Sequence, residues 1–79
     1  MNYEEFTQKT VAFIAKGAKV SPQLISPDSK LMGSGIVDSL LLTELILHVE
    51  DVLDCEIDVE NFRLATFETI DSIYSAYGQ

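Results

Sequence analysis

Four groups of residues in this chain have types that could do chemistry, and each implies a spacing that can be checked. Asp54, Glu56, Asp58 and Glu60 alternate along the chain, as the first ligands of a calcium loop do. Such a loop needs glycine at its sixth position and a bidentate glutamate at its twelfth, and those positions hold Val59 and Ala65. A solvated acidic surface accounts for the four carboxylates better. No other His or Cys sits at metal-ligand spacing, so no metal site is expected. Ser39, Asp38 and His48 supply the letters of a hydrolytic triad. On a helix, however, His48 would stand about 13 Å of rise beyond the serine, and "IVDSL" lacks the glycines of a nucleophile elbow. No catalytic residue is expected, and His48 reads as a surface residue on an acidic face. Cys55 lies between Asp54 and Glu56, whose charges suppress a thiolate; a partly buried structural cysteine is the better reading.

Ser39 remains. In "GSGIVDSLLLTELI", residues 33–46, it follows two glycines and an aspartate and precedes a run of leucines. Asp38 is a good N-cap for a helix beginning there. Ser39 would then occupy the first turn, at the positive end of the helix dipole and beside unpaired backbone N–H groups. A phosphodiester at that hydroxyl would be stabilised by the same groups. Capping alone would explain the pair as structure, but it does not exclude attachment.

The elements that must position this serine follow from pattern. Asn2 can cap a first helix over about residues 3–16, with Glu4 and Glu5 in its first turn, Lys16 in its last and Gly17 as its stop. Tyr3, Phe6, Thr10, Phe13 and Ile14 recur along it at helical spacing. Residues 18–37 show no sustained period and are punctuated by Pro22, Pro27, Gly33 and Gly35. Leu24, Ile25, Leu31, Ile36 and Val37 are spaced as anchors for a long ordered loop, within which Ser21-Pro22 can start a short helical turn. The second helix should run from Asp38-Ser39 to about Asp54, with Leu42, Leu45, Ile46, Val49 and Leu53 as its apolar stripe. A helical turn over residues 59–63 and a turn over residues 66–69 come next. Thr69 then caps a last helix whose inner face is Ile70, Ile73, Tyr74 and Tyr77. The expected fold is all-α: a small four-helix bundle of three main helices and one short one, forming a single domain over residues 1–79.

Composition narrows the function. Seventy-nine residues with one cysteine must be held by apolar packing, and 47% hydrophobic residues make that feasible. The amino terminus has no basic and apolar leader, and no apolar run approaches the roughly 20 residues that span a bilayer. No membrane insertion is expected, and with the free cysteine a reducing, cytoplasmic setting is. Net charge is −8 and uneven: four lysines against three carboxylates over residues 1–37, but ten carboxylates against Arg63 over residues 38–79. Such a surface repels nucleic acid and anionic lipid and steers basic protein patches.

The segment "GIVDSLLLTELILHVEDVLDCEID" resembles the signature region of the acyl and peptidyl carrier proteins. Asp38, Ser39 and Leu40 match that family's Asp-Ser-Leu motif, and Glu44-Leu45, Glu50, Leu53 and Glu56-Ile57 match the rest of its second helix and the following loop. "ENFRLATFETIDSI" resembles its third helix and the start of its last. The resemblance implies a monomeric protein that is not an enzyme, with 4′-phosphopantetheine transferred from coenzyme A to Ser39 by a phosphopantetheinyl transferase. An acyl or aminoacyl group would ride on that arm as a thioester. An adenylating acyl or aminoacyl ligase would load it, and a downstream acyltransferase, synthase or tailoring enzyme would use it. The implied docking face is Leu41, Glu44, Leu47, Glu50, Asp51 and Ile57. Fatty-acid carriers usually read "LGADSLD" around the serine, whereas this chain reads "SGIVDSLLL", closer to free-standing aminoacyl, D-alanyl and peptidyl-type carriers. Leu41 stands where an acid is usual; it either faces a partner or packs beneath the loop. A primary fatty-acid carrier and an unmodified acidic helical adaptor are the alternatives.

Overall fold

The computed structural model describes residues 2–58, 60 and 62–78. Its described residues form three α-helices and two 3₁₀ turns: α1 over Tyr3–Ala18, a turn over Pro22–Leu24, α2 over Ser39–Leu53, a turn over Leu64–Phe67 and α3 over Ile70–Tyr77. The all-helical bundle expected from the sequence is present.

Each helix starts on the cap its sequence supplies. Asn2 accepts a hydrogen bond from the Glu5 amide, Asp38 from the Leu41 amide, and Thr69 from the Ser72 amide. Thr69 and Ser72 bond reciprocally, satisfying two amides that a bare helix start would leave open. Ser21 caps the first 3₁₀ turn, with Pro22 at its first position.

The end of α1 departs from expectation. Gly17 does not stop the helix, which continues to Ala18 and closes on Lys19 in the left-handed region at φ 59°. Packing explains why glycine stands there: a Cβ on Gly17 would lie 2.4 Å from Leu41 Cδ1. The glycine is a gap into which a leucine of α2 fits. Farther along the same interface His48 meets Thr10 and Phe13, so α1 and α2 run antiparallel.

The core comprises Phe6, Ile14 and Ala15 of α1, Leu41, Leu45 and Val49 of α2, Phe67, and Ile70 and Ile73 of α3. The buried stripe of α2 is therefore turned toward Leu41, while Leu42, Ile46 and Leu53 are half-buried at its edge. From the long loop Ile25, Leu31 and Val37 are buried anchors and Ile36 is half-buried. Leu24 is exposed, because its turn points Ile25 inward instead. On the last helix Tyr74 and Tyr77 are half-buried against the core, and Tyr3 bonds to Asp71 while meeting Tyr74 edge-on, which ties α1 to α3.

The helical turn expected over residues 59–63 involves Val59 and Asn61, which lie outside the described residues. The short helix that is described comes later, at Leu64–Phe67, over part of the stretch read as a turn. Burial of Phe67, whose ring lies tilted against those of Phe62 and Tyr77, gives it a reason to wind.

Candidate functional site

Leu31 sets up the site from below. Its amide donates to the Glu68 carbonyl at 2.8 Å, and its carbonyl accepts from the Val37 amide at 3.0 Å. The five residues between Leu31 and Val37 close a lobe whose turn passes through Gly35 at φ 84°, a conformation that glycine adopts without strain. With Leu31 and Val37 both buried, the chain arrives at Asp38 on a fixed base rather than a free tether.

Asp38 then stays extended while its carboxylate takes the Leu41 amide at 2.8 Å, and its carbonyl takes the Leu42 amide at 2.8 Å. The amides of Ser39 and Leu40 make no hydrogen bond in the structure. Ser39 is exposed, and its hydroxyl is uncommitted, its carbonyl being the group that meets Thr43 Oγ1. An exposed, unbonded hydroxyl beside two open amides at the positive end of a 15-residue helix suits a phosphodiester. Asp38 is the opposing charge next to the serine in the chain, and its capping bond turns it toward the backbone.

The face around Ser39 is mixed. Ser39, Leu40, Thr43, Glu44, Leu47 and Asp51 are all exposed. At 3.6 residues per turn they fall within an arc of about 140°. Leu40 and Leu47 are 73% and 61% exposed, two turns apart and about 10.5 Å along the axis. Glu44 and Asp51 form a parallel row with the same spacing.

Two residues expected on that face are not on it. Leu41 is only 5% exposed, because the gap at Gly17 admits it to the α1–α2 interface. Ile57 is 6% exposed, drawn inward because its amide donates to Glu50 Oε2 at 2.9 Å. The same bond shows Glu50 at the half-buried edge of the face, anchoring the segment after α2. Conversely Leu40, expected only as part of the attachment motif, is the most exposed large apolar residue in the site.

The other candidates are structural. His48 is not a plain surface residue: it is half-buried, 3.1 Å from Thr10 Oγ1 and stacked on Phe13. Cys55 is half-buried and free, and burial, then the carboxylates of Glu50 and Asp54, push its thiol above the usual range. Among the described residues no group of three or more His, Cys, Asp or Glu side chains is placed to hold a metal ion, and no helix is long and apolar enough to cross a membrane.

Fold and site together have the form of a small helical carrier: a three-helix bundle with an exposed serine hydroxyl at the start of α2. The family models agree, since the chain matches the phosphopantetheine attachment site over residues 8–76 and belongs to that family. Its members bear 4′-phosphopantetheine covalently, act as carriers rather than catalysts, and engage a phosphopantetheinyl transferase and the enzymes of a pathway. A comparison with curated proteins gave no match.

Proposed function

We propose that this chain carries an acyl or aminoacyl group as a thioester on a 4′-phosphopantetheine arm at Ser39, and presents it to partner enzymes of a specialised pathway of natural-product synthesis or amino-acid transfer. The observation that carries the attachment site is the Ser39 hydroxyl itself, exposed and unbonded on a capped helix start with two open amides. When bound, the arm supplies a terminal thiol whose thioester is activated toward nucleophiles and toward deprotonation at the alpha carbon.

The chain's own residues do the rest. Asp38 holds the helix start in register, and Leu31 and Val37 fix the loop beneath it. Leu40 and Leu47 offer an apolar ridge, and Glu44 and Asp51 offer charge that speeds encounter with a basic partner patch. A partner must leave after each step, so weak binding with fast association suits the task. The apolar ridge favours a partner groove less purely basic than one that reads acids alone. With Leu41 in the core, that preference rests on Leu40 and Leu47.

Incubation with coenzyme A and a broad-specificity phosphopantetheinyl transferase tests the reading by intact-protein mass spectrometry. One phosphopantetheine mass should be gained by the wild type and none by Ser39→Ala. Folded wild-type protein that gains nothing would instead support an unmodified adaptor. Cargo is then weighed on protein isolated from its native host: a long fatty acyl group would indicate the fatty-acid carrier, an amino acid or short acyl group the specialised one.

A further inference from the structure

The α1–α2 interface contains a histidine that neither attachment nor docking uses. His48 Nε2 lies 3.1 Å from Thr10 Oγ1, and its ring stacks on Phe13 with centroids 4.3 Å apart and planes 18° from parallel. Thr10 is fully buried, and its side chain makes no other hydrogen bond in the structure. Neutral His48 with its proton on Nδ1 accepts the Thr10 hydroxyl proton at Nε2, which satisfies both groups. An imidazolium must donate from Nε2 instead. The threonine hydroxyl then has to turn its own proton away from the ring, and the structure gives it no other hydrogen-bond partner there.

The charges facing the ring come from both helices. Lys9 on α1 opposes protonation; Asp51 on α2 and the face of Phe13 favour it. Lys16 and Glu44 face the same interface nearer the start of α2, where they line a cleft with Gly17 and Leu41. Burial outweighs these influences and holds the imidazole below its ordinary value of 6.5.

We propose that His48, Thr10 and Phe13 form an acid-sensitive latch that holds α1 on α2. The latch closes on the interface that seats Leu41 against Gly17, two residues along from Ser39, so opening it loosens the helix start that presents the serine. A histidine harder to protonate when folded leaves stability flat at pH values above the unfolded pKa. As pH falls below about 6.5 the unfolded chain takes the proton first, and stability declines until the folded ring is charged too. The device depends on the fold alone and stands whether or not Ser39 is modified.

Two measurements on the unmodified full chain test it. The His48 ring is titrated by NMR in the wild type, which needs no variant. Thermal unfolding is then followed between about pH 7.5 and pH 5.5 for the wild type and for His48→Gln, whose neutral amide can still meet Thr10. The ring should titrate below a free histidine, and the wild-type Tm should fall over this range while that of His48→Gln stays nearly level. A ring that titrates at or above the free value overturns the latch, as does an equal fall in Tm for both proteins.

Discussion

Leu40 and Leu41 are neighbours with opposite surroundings, one 73% exposed and one 5% exposed. Truncating them should therefore separate packing from recognition. Leu41→Ala leaves a hole against Gly17 and should lower unfolding free energy by about 2–5 kcal/mol. Leu40→Ala and Leu47→Ala remove side chains that already face solvent, and should change it by about 0.5 kcal/mol or less. If Leu40 and Leu47 meet the partner, their truncation should raise KM for phosphopantetheine transfer while chemical denaturation midpoints stay put. Loading rates that fall for Leu41→Ala alone would return the apolar ridge to simple surface. The serine and its cap were legible in the sequence because helix capping is local: Asp38 reaches an amide only three residues on. The fate of Leu41 was not. With leucine or isoleucine at 40, 41, 42, 45, 46 and 47, the helix has apolar residues on most of its circumference. Which arc turns inward is decided by the gap at Gly17, a residue of another helix.

At the scale of the element, α2 ends as carefully as it begins. The Glu50 carbonyl accepts from the amides of Asp54 and Cys55, and its carboxylate accepts from Ile57. Asp54 takes the left-handed position at φ 51° that reverses the chain. Glu44 has no such duty; it is exposed, and no hydrogen bond or ion pair engages its side chain in the structure. Glu50→Ala should thus cost about 1–3 kcal/mol, since a partly buried amide loses a charged acceptor, whereas Glu44→Ala should cost about 0.5 kcal/mol or less. Urea unfolding of the two variants checks the difference, and equal midpoints would mean that the Ile57 bond contributes nothing. A slower partner reaction in a Glu50 variant would then have to be corrected for the altered loop before being read as docking. Here too the sequence reading was limited by distance. Glu50 and Ile57 are seven residues apart, too far for a turn rule, and His48 meets Thr10 across 38 positions. Patterns within one helix predicted the three α-helices well; His48, Glu50 and Ile57, whose partners lie far along the chain, were misread.

Over the whole molecule, charge is separated along the chain: the lysines lie within residues 1–37, and ten of the thirteen carboxylates follow. Glu44 and Asp51 bring part of that excess to the face that carries Ser39. Attraction between this face and a basic partner acts over about 10 Å at 0.1 M salt and about 3 Å at 1 M. It should therefore enter the association step, and kcat/KM for loading should fall as salt rises from about 0.05 to 0.5 M. Folding should respond the other way. With a net charge of −8 the compact chain repels itself, and screening relieves that repulsion, so Tm should hold or rise over the same range. The opposite signs make the experiment informative, because salt-induced unfolding cannot imitate lost docking. Replacing Glu44 and Asp51 together by lysine should lower low-salt kcat/KM by about tenfold or more and flatten its salt dependence, with the helix content unchanged by circular dichroism. The pair lies outside the core and takes no part in the Glu50–Ile57 bond, so a folded product is expected. A double variant that loads as fast as wild type at low salt would show that the carboxylates of this face serve solubility, and that the partner is recognised through the leucine ridge and the serine alone.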